Sequence, residues 1–202
     1  PFHEDGSVNF EKLEELLEWH VANHTDGILV LGTTGESSTM THEEDDAVVE
    51  FTLKVINKRL PVIVGAGSNC TQTAVEKSIK YEKMGADYLL IISPYYNKAN
   101  NQGMIAHFTA VADAVNIPII MYNIPGRTGV AISEDAVKVL SKHPNICGIK
   151  EASGNISYAT NIARYLNDDF AMYSGNDDMI TSMLSLGASG VISVLVNVLP
   201  KE

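Results

Sequence analysis

The sequence predicts an α/β fold, a (β/α)8 TIM barrel formed by one domain over residues 1–202. Two observations support this prediction. Short apolar runs alternate with amphipathic helical segments along the whole chain, and a polar motif directly follows nearly every run. Parallel strands that alternate with helices and carry polar residues after their carboxyl ends are typical of this fold.

Seven apolar runs are the candidate strands. Each is too short for a typical helix and lacks the polar alternation of a half-exposed strand, as expected for a parallel strand that is covered on both faces. The runs are GILVLG (27–32), PVIVGAG (61–67), DYLLIISP (87–94), IPIIMYNIP (117–125), ICGIKEA (146–152), FAMYSG (170–175) and GVISVLV (190–196).

The segments between the runs have helical periodicity. Phe10, Leu13 and Leu17 are spaced by three and four residues, which places them on one face of a helix. Thr41 precedes another such segment and has Glu44 three residues later, a capping-box pattern that marks a helix start. The chain is therefore expected to alternate strand and helix throughout.

An open, doubly wound sheet is the alternative architecture. No GxGxxG motif follows the first run, and the polar motifs are spread over most strand ends instead of clustering at one switch point. This distribution favours the barrel, which needs eight strands when closed. We interpret the seven runs as strands 2 to 8, with Pro1 and Phe2 as the trailing end of the first strand.

Composition and charge argue against several classes of partner. The formal net charge is -11, which disfavours a nucleic-acid groove or an anionic membrane surface. No apolar run approaches the roughly 20 residues that cross a bilayer. Two isolated cysteines, Cys70 and Cys147, suggest neither a disulfide framework nor a metal-ligand pair. We expect a cytoplasmic protein that binds no nucleic acid and no membrane.

Lys150 carries the most chemical information. It lies in GIKEASG, at the end of an apolar run, so a barrel would draw its side chain inside. Burial disfavours the ammonium and lowers its pKa, and the resulting free amine can attack a carbonyl to form an imine. The alternative is a lysine that reaches solvent and pairs with Glu151 or another carboxylate.

Three neighbouring motifs would assist such an amine. Tyr122, on the preceding strand, would carry protons to and from the carbonyl oxygen, unless it is a core tyrosine with a satisfied hydroxyl. Arg127, in IPGR, has a planar guanidinium suited to a carboxylate, unless it is an exposed turn residue. Thr33 and Thr34, in GTTGE, offer hydroxyls and backbone donors for a carboxylate.

No metal site is expected. His20 and His24 are four residues apart, but their helix is amphipathic, so a solvated face is a better interpretation than a ligand pair. The acidic turn at 176–178 is interpreted as a turn or helix cap.

The motifs GTTGES, SPYYNK, YNIPGRTG, GIKEASG, SGND and GVISV resemble, in order and spacing, those of the dihydrodipicolinate synthase family. This family belongs to the class I aldolase superfamily, which also holds N-acetylneuraminate lyase. The resemblance covers essentially the whole chain and implies a (β/α)8 barrel, here without its first strand and without the family's C-terminal helical extension. It also implies a homotetramer assembled as a dimer of dimers.

The resemblance implies a reaction as well. Family members condense pyruvate with L-aspartate 4-semialdehyde on the way to lysine and diaminopimelate, using no cofactor beyond a covalent imine between pyruvate and a lysine. The implied catalytic residues are Lys150 for the imine, with Thr33, Tyr122 and, from an adjacent subunit, Tyr96 for the proton relay. The implied substrate-binding residues are Thr34 for the pyruvate carboxylate, Arg127 for the semialdehyde carboxylate, and Gly175 and Ile192 for the pocket wall.

Regulation is expected to differ from that of feedback-inhibited members, which bind lysine at a subunit interface. The corresponding positions here are Ser37, Ser38, His42, Asp45, Asn69, Thr73 and Tyr95. Asp45 and Thr73 stand where a second histidine and an acidic residue are expected. Because an uncharged threonine cannot pair with a lysine ammonium, we predict weak or no feedback by lysine.

Three alternative functions remain open at this point. A sister aldolase acting on a sugar acid would keep Lys150 and Tyr122, although Arg127 and the paired threonines favour a second substrate that carries a carboxylate. A non-catalytic barrel that senses a carboxylate would gain nothing from a reactive amine. A metal-dependent aldolase is the third alternative.

Overall fold

Seven parallel strands form one sheet in the computed structural model, which describes residues 1–201. The strands are β1 Ile28–Val30, β2 Val62–Gly65, β3 Tyr88–Ile92, β4 Ile119–Asn123, β5 Ile146–Glu151, β6 Ala171–Ser174 and β7 Gly190–Val191. They lie in chain order from β1 to β7, and each pairs in parallel with the next. This unbroken order belongs to a TIM barrel, whereas a doubly wound sheet reverses its order at a switch point.

Helices connect the strands and cover the outer face of the sheet. They are α1 Phe10–Ala22, α2 His42–Ile56, α3 Thr71–Met84, α4 Asn101–Asp113, α5 Pro125–Thr128, α6 Glu134–Leu140, α7 Ile156–Ala163 and α8 Ile180–Ser185. Short 3-10 turns occupy Thr33–Gly35, Ser37–Thr39, Asp177–Met179 and Leu195–Asn197. The predicted alternation of strand and helix is confirmed.

The expected capping signals set the helix ends. Thr41 accepts a hydrogen bond from the backbone N–H of Glu44 at 3.2 Å, and the Glu44 carboxylate accepts one from the Thr41 N–H at 2.8 Å. These two bonds form the predicted capping box at the start of α2. At the far end of α3, Gly85 has φ +104°, a left-handed conformation that glycine adopts without a steric cost.

Apolar side chains alternate between the two faces of the sheet. Leu89 and Ile91 of β3 belong to the large core between sheet and helices, whereas Leu90 packs with Ile120 and Tyr122 in a smaller cluster on the inner face. This alternation follows from the two-residue period of a strand. The inner face is therefore the one that carries Tyr122.

The sheet curls into a half-barrel, and a contact between the two ends of the chain shows the curvature. His20, in the last turn of α1, lies 3.3 Å from the side-chain oxygen of Asn197, which follows β7. The His20 ring also contacts the Thr25 hydroxyl at 3.1 Å. His20 is buried, so the expectation that this face of α1 is solvated was wrong at this residue. Its partners are supplied by a segment that is remote in sequence.

Every strand is shorter than its predicted run, and the predictions fail most clearly at the two ends of the chain. β7 ends at Val191, earlier than the predicted run 190–196, because the chain then enters the 3-10 turn Leu195–Asn197. The Asp177 carboxylate holds that turn by accepting bonds from the N–H groups of Val194 and Leu195 at 3.2 and 2.9 Å. Phe2 forms an isolated antiparallel bridge with Val8, so within residues 1–201 it is not part of the parallel sheet.

No helix in the described part of the chain is both long and apolar enough to cross a membrane.

Candidate active site

Lys150 and Tyr122 are direct partners on neighbouring strands. The register of β4 and β5 places Tyr122 opposite Lys150, near the carboxyl ends of both strands. The Lys150 Nζ lies 4.4 Å from the centroid of the Tyr122 ring, over its face. Both side chains are buried, and Lys150 is 9% exposed. The sequence-based prediction of an enclosed lysine beside a phenol agrees with this geometry.

The surroundings of Lys150 favour the neutral amine. Burial lowers the pKa of Lys150 to about 8, and the charge of the Asp177 carboxylate opposes part of that shift. Lys150 forms no ion pair with any residue among 1–201. Glu151, the partner considered in the alternative interpretation, bonds to Asn123 and Ser153 instead. A substantial fraction of Lys150 is thus neutral near physiological pH.

Two polar groups act on the Tyr122 phenol. Burial raises the pKa of Tyr122, and the nearby Thr33 hydroxyl and Arg127 guanidinium each lower it in part. Arg127 lies in α5, directly after the strand that carries Tyr122, whereas Thr33 follows β1, so the curled sheet brings Thr33 towards the phenol from a distant point of the chain. A protonated phenol beside a hydroxyl can pass a proton in either direction.

Gly175 lies against the Lys150 side chain. A Cβ atom at Gly175 would come within 2.7 Å of the Ala152 Cβ and within 3.0 Å of the Lys150 Cε. Real Cβ atoms do not approach other atoms so closely, so the Lys150 stem runs where only a glycine leaves room. The residue predicted to form the pocket wall therefore shapes the path of the lysine.

The remaining predicted residues lie at the same edge of the sheet with fewer contacts. Thr34 is exposed in the 3-10 turn beside Thr33, and Arg127 is exposed in α5. Ile192 directly follows β7, and its N–H donates to the Ser174 carbonyl at 2.8 Å. Within residues 1–201, Ile192 is not among the apolar side chains that pack with Tyr122 on the inner face.

Tyr96 projects away from its own chain. It is 89% exposed and has φ +68°, an uncommon conformation for a bulky residue. The loop around it is anchored on both sides. The Asn97 amide donates to the Asn69 carbonyl at 2.9 Å, and the Tyr96 N–H donates to the Thr128 carbonyl at 3.3 Å. The loop thus presents the phenol outward in a defined position.

Sequence reasoning missed a second polar pair behind the site. Asn123 and Glu151 are fully buried and bonded to each other at 2.6 Å on the outer face of β4 and β5. The period of two along each strand would have shown that these residues face away from Tyr122 and Lys150. Their pairing depends on the strand register, which the sequence does not reveal.

Comparisons with known proteins agree with the architecture. The profile of the Dihydrodipicolinate synthetase family matches residues 1–202. The protein named 4-hydroxy-tetrahydrodipicolinate synthase from Clostridium perfringens strain 13 is 54% identical over 202 residues, which are 100% of this chain and 69% of that protein.

Solved structures extend the similarity to three dimensions. The dihydrodipicolinate synthase of Bacillus anthracis superposes with a TM-score of 0.96 at 40% identity, covering 100% of this chain and 69% of that one. The chloride-inhibited dihydrodipicolinate synthase of Acinetobacter baumannii, solved in complex with pyruvate, superposes with a TM-score of 0.96 at 43% identity and the same coverage.

Proposed function

Because the chain belongs to the dihydrodipicolinate synthetase family, we propose that it is a 4-hydroxy-tetrahydrodipicolinate synthase, a lyase of the class I aldolase type. It condenses pyruvate with L-aspartate 4-semialdehyde in lysine and diaminopimelate biosynthesis. The observation that carries the proposal is the enclosed amine of Lys150, whose pKa is lowered to about 8. An amine of this kind is what imine chemistry on a keto acid requires.

The first half of the reaction activates pyruvate. The neutral Nζ of Lys150 attacks the C2 carbonyl carbon, and the carbonyl oxygen leaves as water after receiving protons. Tyr122 and Thr33 pass those protons. This role is supported by the effect of the Thr33 hydroxyl on the pKa of the Tyr122 phenol. Loss of one methyl proton from the imine then gives a nucleophilic enamine. Thr34 and the adjoining backbone N–H groups bind the pyruvate carboxylate.

The second half joins the two substrates. The enamine carbon attacks the aldehyde carbon of the semialdehyde, whose carboxylate is bound by the Arg127 guanidinium. The amino group of the same substrate then displaces Lys150 from C2, which closes the ring and releases the free lysine. Gly175 and Ile192 line the pocket in which these steps occur. The reaction requires no cofactor apart from the covalent imine on Lys150.

Assembly completes the proposed site. Tyr96 is exposed on a fixed loop, a position suited to reaching into an adjacent subunit and completing its proton relay. We therefore include a homotetramer, a dimer of dimers, in the proposal. Residues 1–202 act as a single domain, in line with the unbroken strand order, and the enzyme works in the cytoplasm.

A coupled turnover assay tests the proposal. The protein is supplied with pyruvate and either L-aspartate 4-semialdehyde or N-acetylmannosamine, with and without EDTA. We expect turnover when the second substrate is the semialdehyde and none when it is N-acetylmannosamine. EDTA should have no effect. Turnover only with the sugar would assign the chain to a sister aldolase, and loss of activity in EDTA would indicate a metal-dependent aldolase.

A further inference from the structure

The residues that follow Tyr122 and Lys150 form a second cross-strand pair. Asn123 and Glu151 are opposite each other in the register of β4 and β5, and they are 0% and 1% exposed. The Asn123 Nδ2 donates to the Glu151 Oε2 at 2.6 Å. The pair lies on the outer face of the same strand ends whose inner face carries the amine and the phenol.

Each bond of this pair has a fixed direction. The backbone N–H of Ile132 donates to the Asn123 Oδ1 at 2.9 Å, so the amide nitrogen must point towards Glu151. The backbone N–H of Ser153 donates to the Glu151 Oε1 at 2.6 Å. Glu151 therefore accepts hydrogen bonds at both oxygens, which suits a carboxylate and suits no neutral side chain of the same shape.

Glu151 has no cationic partner among residues 1–201. Burial raises the pKa of Glu151, and the bonds from Asn123 and Ser153 oppose that rise. Burying a carboxylate that has no cationic partner costs roughly several kcal/mol of desolvation free energy. Two apolar side chains at positions 123 and 151 would avoid that cost. The two hydrogen bonds that Glu151 accepts from Asn123 and Ser153 are what offset this cost.

The pair fixes the loop that carries Arg127. This loop, residues 124–131, begins directly after Asn123 and ends directly before Ile132, whose N–H donates to the Asn123 side chain. The Tyr158 hydroxyl donates to the Ile132 carbonyl at 2.6 Å and holds the same point from the other side. Asn123 thus closes the base of the loop, and Glu151 orients the amide that does so.

We propose that Asn123 and Glu151 are positioning residues for Arg127 and thereby for the carboxylate of the second substrate. The inference rests on the proposed function, because it is in that function that Arg127 binds the semialdehyde carboxylate. Lys150 and Tyr122 are held by the backbone ladder of β4 and β5 itself, so the step with pyruvate depends much less on the pair. The two substrates should therefore respond differently when the pair is altered.

Glu151→Gln tests this difference. An amide group at position 151 must turn its NH2 towards either Asn123 Nδ2 or the Ser153 N–H, so one bond is lost and the base of the loop loosens. We expect the KM for the semialdehyde to rise about tenfold, with the KM for pyruvate and the rate of borohydride trapping of pyruvate changed less than about twofold. A general loss of folded protein would instead lower kcat and the trapped amount together, leaving both KM values unchanged.

A double variant provides the rescue. In Asn123→Asp/Glu151→Gln, the carboxylate at position 123 accepts from the Ile132 N–H and from the new amide, whose oxygen still accepts from the Ser153 N–H. Every bond is kept and only the central one is reversed. We expect a KM for the semialdehyde within about threefold of the wild-type value. The matched control is Glu50→Gln on the exposed face of α2, which should change nothing.

The outcomes separate the two proposals. Wild-type protein that neither traps pyruvate nor turns over would overturn the proposed function and this inference with it. Normal wild-type turnover with equal shifts of both KM values in Glu151→Gln, or with no shift, would overturn the inference alone. If Glu151→Gln does not fold, the double variant Asn123→Asp/Glu151→Gln tests the inference in its place. A folded double variant whose KM for the semialdehyde is raised tenfold would contradict the inference.

Discussion

The burial of Lys150 sets the pH at which the proposed reaction becomes fast. Only the neutral amine attacks a carbonyl, and the pKa of Lys150 is lowered to about 8 because its ammonium is desolvated. We predict that kcat/KM for pyruvate rises from pH 6 to 9 with a midpoint near the lowered pKa of about 8. A pH–rate profile measures it. A midpoint above about pH 10, where an ordinary lysine titrates, would contradict the prediction.

Gly175 gives a second test at the scale of single residues. In Gly175→Ala the new methyl group would displace Ala152 or the Lys150 stem, which lie within 2.7 and 3.0 Å of the Cβ position. We predict a destabilisation of about 1–3 kcal/mol from overpacking and a loss of at least about tenfold in the rate of pyruvate trapping.

Gly103→Ala is the matched control for Gly175→Ala. Gly103 lies in α4, where an added Cβ would meet nothing closer than 3.4 Å. The control should keep full activity and gain about 0.5–1 kcal/mol from helix propensity. Chemical denaturation measures the stability of both variants, and borohydride trapping measures their reaction with pyruvate. An unchanged trapping rate in Gly175→Ala would contradict the described path of the Lys150 side chain.

The site residues differ in how far the sequence could predict them. Lys150 and Tyr122 were predictable because a charged or polar group that ends an apolar run is locally visible. The pairing of Glu151 with Asn123 was not, because it depends on the register between two strands. The close approach of Gly175 to Lys150 depends on the same kind of tertiary contact.

Among the elements, the helix starts follow from local signals. The capping box of α2 depends on the exposed Thr41 and the partly exposed Glu44, neither of which takes part in the proposed chemistry. We predict that Thr41→Ala lowers the free energy of unfolding by about 1 kcal/mol without changing kcat. Thr181→Ala, at an exposed position within α8, should change it by less than about 0.5 kcal/mol. Equal effects of the two changes in urea denaturation would speak against the cap.

The strands were predictable in position and type, but β7 was not predictable in length. Its apolar run continues to residue 196, whereas the strand ends at Val191. The backbone N–H groups of Val194 and Leu195 donate to the Asp177 carboxylate, and these bonds hold the chain after β7 in a 3-10 turn. Such a competing polar contact comes from another part of the chain, so hydrophobic patterning alone overestimates the strand.

For the whole molecule, the βα rhythm predicted the order of the strands, and the curvature of the sheet came only from the structure. The contact between His20 and Asn197 joins residues that are 177 positions apart. The hydrophobic periodicity of α1 contains no information about such a contact. For that reason it predicted a solvent-exposed His20. The polar strand ends nevertheless gather at one edge of the sheet because consecutive parallel strands share their direction.

The predicted weak feedback by lysine concerns the whole molecule. At the positions where feedback-inhibited relatives are expected to hold lysine, Asp45 is buried and already paired with Lys77 at 3.1 Å. Thr73 carries no charge, so little negative charge remains for an added ammonium. We predict that millimolar L-lysine leaves most of the turnover intact, as a coupled assay can measure. Strong inhibition below about 1 mM, the concentration equivalent to roughly 4 kcal/mol of binding, would refute this prediction.

The most direct test of the account is reductive trapping of pyruvate on the intact protein. Borohydride and pyruvate are added together, and the mass of the whole chain and of its peptides is measured. We predict a mass increase of one reduced pyruvate per chain, located on Lys150 and absent from Lys150→Ala, while the exposed control Lys138→Ala behaves as wild type. An unchanged mass, or an adduct that persists in Lys150→Ala, would contradict it.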